Sequence, residues 1–136
     1  MSVLVDTPIW SLALRKQKRA LGEESSAIQA LKELIEESRT KMIGPIRQEI
    51  LSGISSPTAF SLLKDKLEAW EDIPIVSADY IQAAEMFNLC RRKGVQGSHV
   101  DFLICAVAER CNLEIFTLDG DFLHYAKHLA IKLYTP

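Results

Sequence analysis

The stretch Gly97–Phe122, GSHVDFLICAVAERCNLEIFTLDGDF, decides how the rest of the chain is read. Leu103, Ile104, Val107 and Ala108, with few polar side chains between them, predict a largely buried helix from about Ser98 to Cys111. Asn112-Leu113-Glu114 turns the chain, and Ile115-Phe116-Thr117-Leu118 is a short apolar strand. Asp101 stands at the start of the helix, while Asp119 and Asp121 follow the strand, so a chain that folds back can bring three carboxylates together. Hard divalent cations are bound by oxygen clusters of this kind.

Working outward, Ser2–Val5 is too uniformly apolar for a strand with one wet face and predicts a buried parallel strand that ends at Asp6. Thr7 is placed to cap the next helix, and Pro8 suits its first turn. That helix carries Ile9, Trp10, Leu12 and Leu14, and a second one places Ile28, Leu31, Leu34 and Ile35 on one face. Met42-Ile43-Gly44 is a brief strand, after which Pro45 opens a helix holding Ile46, Glu49, Ile50 and Ile54. Ser56-Pro57 begins an amphipathic helix with Phe60, Leu62, Leu63, Leu67 and Trp70. Ile73-Pro74-Ile75-Val76 is an edge strand, and Ser77 caps a helix with Ile81, Ala84, Phe87 and Leu89 that closes at Arg91-Arg92-Lys93-Gly94. A short helix follows Asp119, and Ile131–Tyr134 is a last edge strand. Strands alternating with helices predict an α/β fold over residues 1–136, a single three-layer α/β/α domain around a mainly parallel sheet. Sites in such sheets form beyond the carboxyl ends of the strands.

Composition adds bounds rather than a function. The 136 residues are 48% hydrophobic and 25% charged, an ordinary globular balance. Three scattered cysteines, Cys90, Cys105 and Cys111, predict no disulfide framework and a reducing cytoplasm. No apolar run approaches the roughly 18 residues of a membrane span, so a membrane protein is not expected. The net charge is −2; with Asp6, Glu49, Asp101 and Asp119 engaged by a metal, 14 of the 18 acids remain against 16 basic residues, a balance compatible with RNA.

Each acid also has a purely structural reading. Asp6 suits a hydrogen bond in the turn before Pro8, Asp119 a cap on the last helix, Ser98-His99-Val100-Asp101 a capping box, and Glu49 a solvated helix surface. Together they are harder to account for in that way, because clustered carboxylates repel unless a cation neutralises them. Mg²⁺ or Mn²⁺ fits such a ligand set, and metal-assisted phosphodiester hydrolysis is the chemistry expected of it.

Val5-Asp6-Thr7-Pro8-Ile9-Trp10, the mid-chain Glu49, Asp101-Phe102-Leu103-Ile104 and Thr117-Leu118-Asp119-Gly120-Asp121-Phe122 together resemble the PIN-domain ribonucleases. Among these the chain is most similar to the VapC-type toxins of bacterial toxin-antitoxin pairs, over essentially its whole length. The resemblance implies a Mg²⁺- or Mn²⁺-dependent endoribonuclease with Asp6, Glu49, Asp101 and Asp119 as its acidic quartet. Asp121 matches a further acid that often accompanies the four, and Thr7 and Thr117 match hydroxyl positions that orient the carboxylates. It also implies a homodimer and an antitoxin partner that blocks the acidic groove.

Other features are read less specifically. Arg15, Lys16, Lys18 and Arg19 are candidates for RNA phosphate contacts, with Arg91–Lys93 as a weaker second run. Trp10 and Trp70 are expected in core or dimer packing. His124 and His128 have the spacing of a zinc pair, yet no glutamate follows the first and no third ligand is evident, so they are counted as surface residues. The competing readings are a catalytically silent PIN-like domain that binds a protein partner, and an enzyme acting on DNA or a small phosphate ester. An aspartyl phosphatase would carry a second aspartate where Pro8 stands, and Gly94-Val95-Gln96-Gly97 lacks the spacing of a P-loop or dinucleotide motif.

Overall fold

The computed structural model describes residues 1–14 and 22–136. Val3, Leu4 and Val5 form β1 (Val3–Val5) and are buried completely. A strand covered on both faces belongs at the centre of a parallel sheet. β1 pairs in parallel with β2 (Thr40–Lys41) on one side and with β3 (Glu114–Phe116) on the other, Val3 standing opposite both Thr40 and Glu114. β4 (Lys132–Leu133) pairs with β3 at the far edge, so the order is β2-β1-β3-β4 and all pairings are parallel.

The helices among the described residues are α1 (Thr7–Leu14), α2 (Glu23–Glu36), α3 (Gly44–Leu51), α4 (Pro57–Leu67), α5 (Ser77–Arg92), α6 (His99–Cys111) and α7 (Asp121–Tyr125). They cover the sheet to give the expected three-layer α/β/α architecture. Strand order reverses direction around β1, which makes the crevice beyond the carboxyl ends of β1 and β3 the topological switch point.

α6 buries Phe102, Ile104, Cys105, Ala106, Val107 and Ala108, as its sequence predicts. It ends at Asn112, whose left-handed φ of 54° lets Leu113 N–H donate back to the Ala108 carbonyl at 2.8 Å. This tight exit feeds the chain directly into β3. Trp10 is buried in the core, donates from Nε1 to the Val5 carbonyl at 3.1 Å and meets Trp70 edge-on with ring centroids 4.9 Å apart.

Several local expectations are corrected. Thr7 is the first residue of α1 and does not cap it; Asp6 takes that place, its carbonyl accepting from Ile9 and Trp10 N–H. Ile73–Val76 forms no strand: one bridge joins Met42 to Asp72, and the Pro74 carbonyl accepts from Arg110 instead of a ladder. Arg47 holds this edge from within, bonding Asp72 at 3.0 Å, the Leu67 carbonyl at 2.9 Å and the Trp70 carbonyl. On α2 the buried stripe is Ala27, Ala30, Leu31 and Leu34, since the small alanines permit close approach, and Ile28 and Ile35 fall beside it. On α4 only Leu67 is buried, while Phe60 and Leu62 are exposed, because the helix lies at the periphery.

α5 turns a different face inward from the one its aliphatic residues suggest, burying Asp79, Ala83, Met86 and Cys90 and leaving Ile81 exposed. The cause is an ion pair: Arg110 of α6 donates to Asp79 from Nε at 2.7 Å and from Nη2 at 2.9 Å. Asp79 also accepts from Val76 N–H at 3.0 Å, so it opens α5 in place of the expected Ser77. A buried carboxylate is tolerated only when its oxygens are satisfied in this way.

Gly97 lies in a close approach: a Cβ there would stand 2.7 Å from Tyr125 Cζ and 2.9 Å from Phe102 Cε2. Gly97→Ala is therefore expected to lower unfolding free energy by about 1–3 kcal/mol, read from urea denaturation. The Asp79 pair gives a pH-dependent test. The Arg110 hydrogen bonds hold the Asp79 carboxyl below its ordinary value despite burial. Its contribution is thus present above the unfolded-state value near 4 and is lost as pH falls through the folded value. The urea midpoint of the wild type should exceed that of Asp79→Asn at pH 6, and the gap should narrow below about pH 4.

Candidate metal centre

β1 and β3 both end at the switch point. Asp6 N–H donates to the Phe116 carbonyl at 2.9 Å, which fixes the exit of β1 against that of β3. From there a line of hydrogen bonds runs through the candidate residues. Thr7 Oγ1 donates to Glu49 Oε2 at 2.9 Å, and Thr7 N–H to Asp6 Oδ1 at 2.8 Å. Thr117 Oγ1 donates to Asp6 Oδ2 at 2.8 Å and accepts from Asp119 N–H at 3.0 Å. Asp121 N–H donates to Asp119 Oδ1 at 2.9 Å. Six residues from three separate stretches of chain, 6–7, 49 and 117–121, are joined, with the two threonines lying between the acids.

Asp101 comes to the same place from α6. Ser98 Oγ caps the helix by accepting from Asp101 N–H at 3.1 Å, so half of the capping-box reading holds. The Asp101 carboxylate accepts from the Tyr125 hydroxyl, which donates to Oδ2 at 2.7 Å. Asp101, Asp119 and Asp121 each offer an oxygen, all within 4.8 Å of one another.

The five acids do not contribute equally. Asp101, Asp119 and Asp121 make the compact group; Asp6 adjoins it with both oxygens already hydrogen-bonded, and Glu49 is exposed at the far end of the line. Asp119 is half-buried and Asp121 exposed, and both belong to the group. The structural reading of Asp119 also survives in part, since its carboxylate receives the first N–H of α7.

Burial pushes the Asp6 carboxyl up to about 6, against the Thr117 and Thr7 hydrogen bonds, and the charges of Asp101 and Glu49 push it the same way. Burial also raises Asp101, opposed by bonds from Tyr125 and Ser98 and reinforced by Asp119 and Asp121. Both shifts record a place where negative charge is short of compensation. The donor set is made of carboxylate oxygens alone, without His or Cys, and so suits a hard divalent cation.

Tyr125 is the residue that sequence reasoning missed. It lies four positions after Asp121 on one short helix, a spacing that places both side chains on the same face. The candidates Arg15, Lys16, Lys18 and Arg19 lie outside the described residues. Arg91 and Arg92 are exposed at the end of α5; His124 is exposed and His128 half-buried. A cleft of about 520 Å³ between α2 and the C-terminal segment opens beside Thr117, with Phe116, Leu118 and Tyr134 in its walls and Glu23 and Glu33 among its lining.

Comparison with known proteins agrees with this fold. Among solved structures, the chain is similar to FitAcB from Neisseria gonorrhoeae, with a TM-score of 0.76 and 19% identity over 98% of this chain and 97% of that one. It is also similar to FitAB bound to a DNA fragment, with a TM-score of 0.75 and 18% identity over 97% and 93% of the two chains. VapBC2 from Rickettsia felis, bound to a DNA fragment from its promoter, gives a TM-score of 0.73 and 18% identity, each chain covered to 98%. No curated protein matches the sequence. The PIN domain profile matches residues 3–128, nearly the whole chain, and the acids gathered beyond β1 and β3 lie inside that match: the chain belongs to the PIN domain family.

Proposed function

We propose that this protein is a Mg²⁺- or Mn²⁺-dependent endoribonuclease, the toxin of a type II toxin-antitoxin pair, and that residues 1–136 act as one domain. The observation that carries the reading is the grouping of Asp101, Asp119 and Asp121 within 4.8 Å at the carboxyl end of the sheet, with Asp6 tied to them through Thr117. Asp101, Asp119 and Asp121 would hold the ion, with Asp6 and Glu49 completing the acidic site. Such an ion lowers the pKa of a bound water and offsets charge on the phosphate.

The chain's own residues set the geometry. Thr117 and the Thr7 N–H hold the Asp6 carboxylate from both sides, and the Thr7 hydroxyl fixes Glu49. Glu49 is the member of the quartet most open to solvent, which suits it to take a proton from water. Hydrolysis joins the water oxygen to phosphorus and releases a ribose oxygen as a hydroxyl. Arg15, Lys16, Lys18 and Arg19 are proposed to hold phosphates along the RNA.

The cleft beside Thr117 carries Glu23 and Glu33, a rim better matched to a basic segment of an antitoxin than to an RNA backbone. Val76, Tyr80 and Ile81 expose apolar surface at the start of α5, and a homodimer is the proposed assembly. The cytoplasm is the proposed location; no helix among the described residues is long and apolar enough to cross a membrane.

Purified protein with Mg²⁺ should cut single-stranded RNA, and Asp101→Asn should reduce the rate at least tenfold, about the smallest effect seen even for residues that only support a metal ligand. Equal cleavage by both proteins would overturn the reading, and no cleavage by either, with no metal bound, would favour the silent, partner-binding alternative. A second test uses stability. Because the folded Asp6 carboxyl is raised to about 6, its ionised form weakens the metal-free fold above that pH, and the penalty vanishes below the unfolded value near 4. In EDTA, Asp6→Asn should therefore unfold at higher urea than the wild type at pH 7–8 and match it near pH 4. An acid kept for structure would give the opposite order at neutral pH.

A further inference from the structure

We infer that Tyr125 is a positioning residue of this site: its hydroxyl fixes the Asp101 carboxylate and, through α7, sets Asp101 against Asp121. The inference rests on the metal-centre reading above and concerns a residue that the acidic quartet does not include.

Tyr125 is completely buried, at 0% exposure, in a nest of aromatic rings. Its ring centroid lies 4.8 Å from that of Phe102 on α6 and 5.1 Å from that of Phe122 on α7. Gly97 lies close against it as well, where a Cβ would meet the Tyr125 ring. The phenol is thus held by packing on all these sides, and a buried hydroxyl needs a partner. Its partner is Asp101 Oδ2, at 2.7 Å.

A carboxylate at the first turn of a helix turns freely about its side-chain bonds unless something holds it. Asp101 has its backbone fixed by the Ser98 hydroxyl and its carboxylate by the Tyr125 hydroxyl. The same five-residue helix that carries Tyr125 begins with Asp121, one turn away. One hydrogen bond therefore does two things: it orients a ligand on α6 and docks the helix that supplies another. Supporting groups of this kind typically govern metal affinity by 10–100-fold.

Tyr125→Phe keeps the ring in its nest and removes only the O–H. The test is a Mn²⁺ titration, with free ion followed by electron paramagnetic resonance, on the wild type, Tyr125→Phe, Asp101→Asn and Phe102→Leu. Tyr125→Phe should bind Mn²⁺ at least tenfold more weakly while its metal-free melting temperature stays within about 4 °C of the wild type. Phe102→Leu disturbs the nest but keeps the hydroxyl, and should melt earlier with Mn²⁺ affinity retained. Wild-type affinity in Tyr125→Phe would overturn the positioning role alone. Equal losses of affinity in Tyr125→Phe and Phe102→Leu would also overturn it, by assigning the effect to packing. A wild type that binds no Mn²⁺, or Asp101→Asn binding as well as the wild type, would overturn the metal centre and this inference with it.

Discussion

The parallel ladder between Val3–Val5 and Glu114–Phe116 is the contact on which the remainder of the molecule depends. It lies at the centre of the sheet, where Val3–Val5 and Ile115-Phe116 are buried and apolar and only Glu114, at the strand's entry, is half-buried, so neither strand can end in a long loop inside the core. The same ladder brings Asp6 to Thr117, residues 111 positions apart in the chain. Whatever chemistry the carboxyl ends support follows from that one pairing.

Against the ladder works the repulsion among five acids. Among the described residues it is met by hydrogen-bond donors rather than basic side chains: two threonine hydroxyls, a tyrosine hydroxyl and three backbone N–H groups reach the carboxylates of Asp6, Glu49, Asp101 and Asp119, directly or through Thr117. Neutral donors lower the cost of the charges without cancelling them. The raised Asp6 and Asp101 carboxyls show that the compensation is incomplete. A site filled with arginine or lysine would be quieter but would have no room left for a cation.

The two central strands and the acids that follow them were legible because they rest on local signals, whereas the strand expected at Met42–Gly44 stands at Thr40–Lys41 instead, with Gly44 already opening α3. A run such as Val-Leu-Val closed by an acid, or an apolar helix followed by Asn and a second apolar run, points to buried parallel strands without knowledge of their neighbours. The helix faces were less legible, because they are settled by partners from elsewhere. Asp79 faces inward only because Arg110, 31 residues away, satisfies it, and the aliphatic Ile81 then turns outward. Pro74 reads as an edge strand until Arg110 takes its carbonyl. Tyr125 was overlooked for a similar reason: an aromatic on a short helix reads as core, which it is, and only the position of Asp101 shows what its hydroxyl does.

The separation between β1 and β3 also has a consequence for the order in which the molecule comes into being. Translation delivers the N-terminal strand first, and at about 5–20 residues per second the partner that flanks it at Phe116 follows on the order of ten seconds later. Until then Asp6 has no Thr117, and Asp101 has neither Asp119 nor Tyr125. A nascent or prematurely terminated chain thus lacks an assembled centre, and contacts this distant in sequence close late in folding. The topology itself thus withholds the acidic centre until the strands on both sides of it have been made.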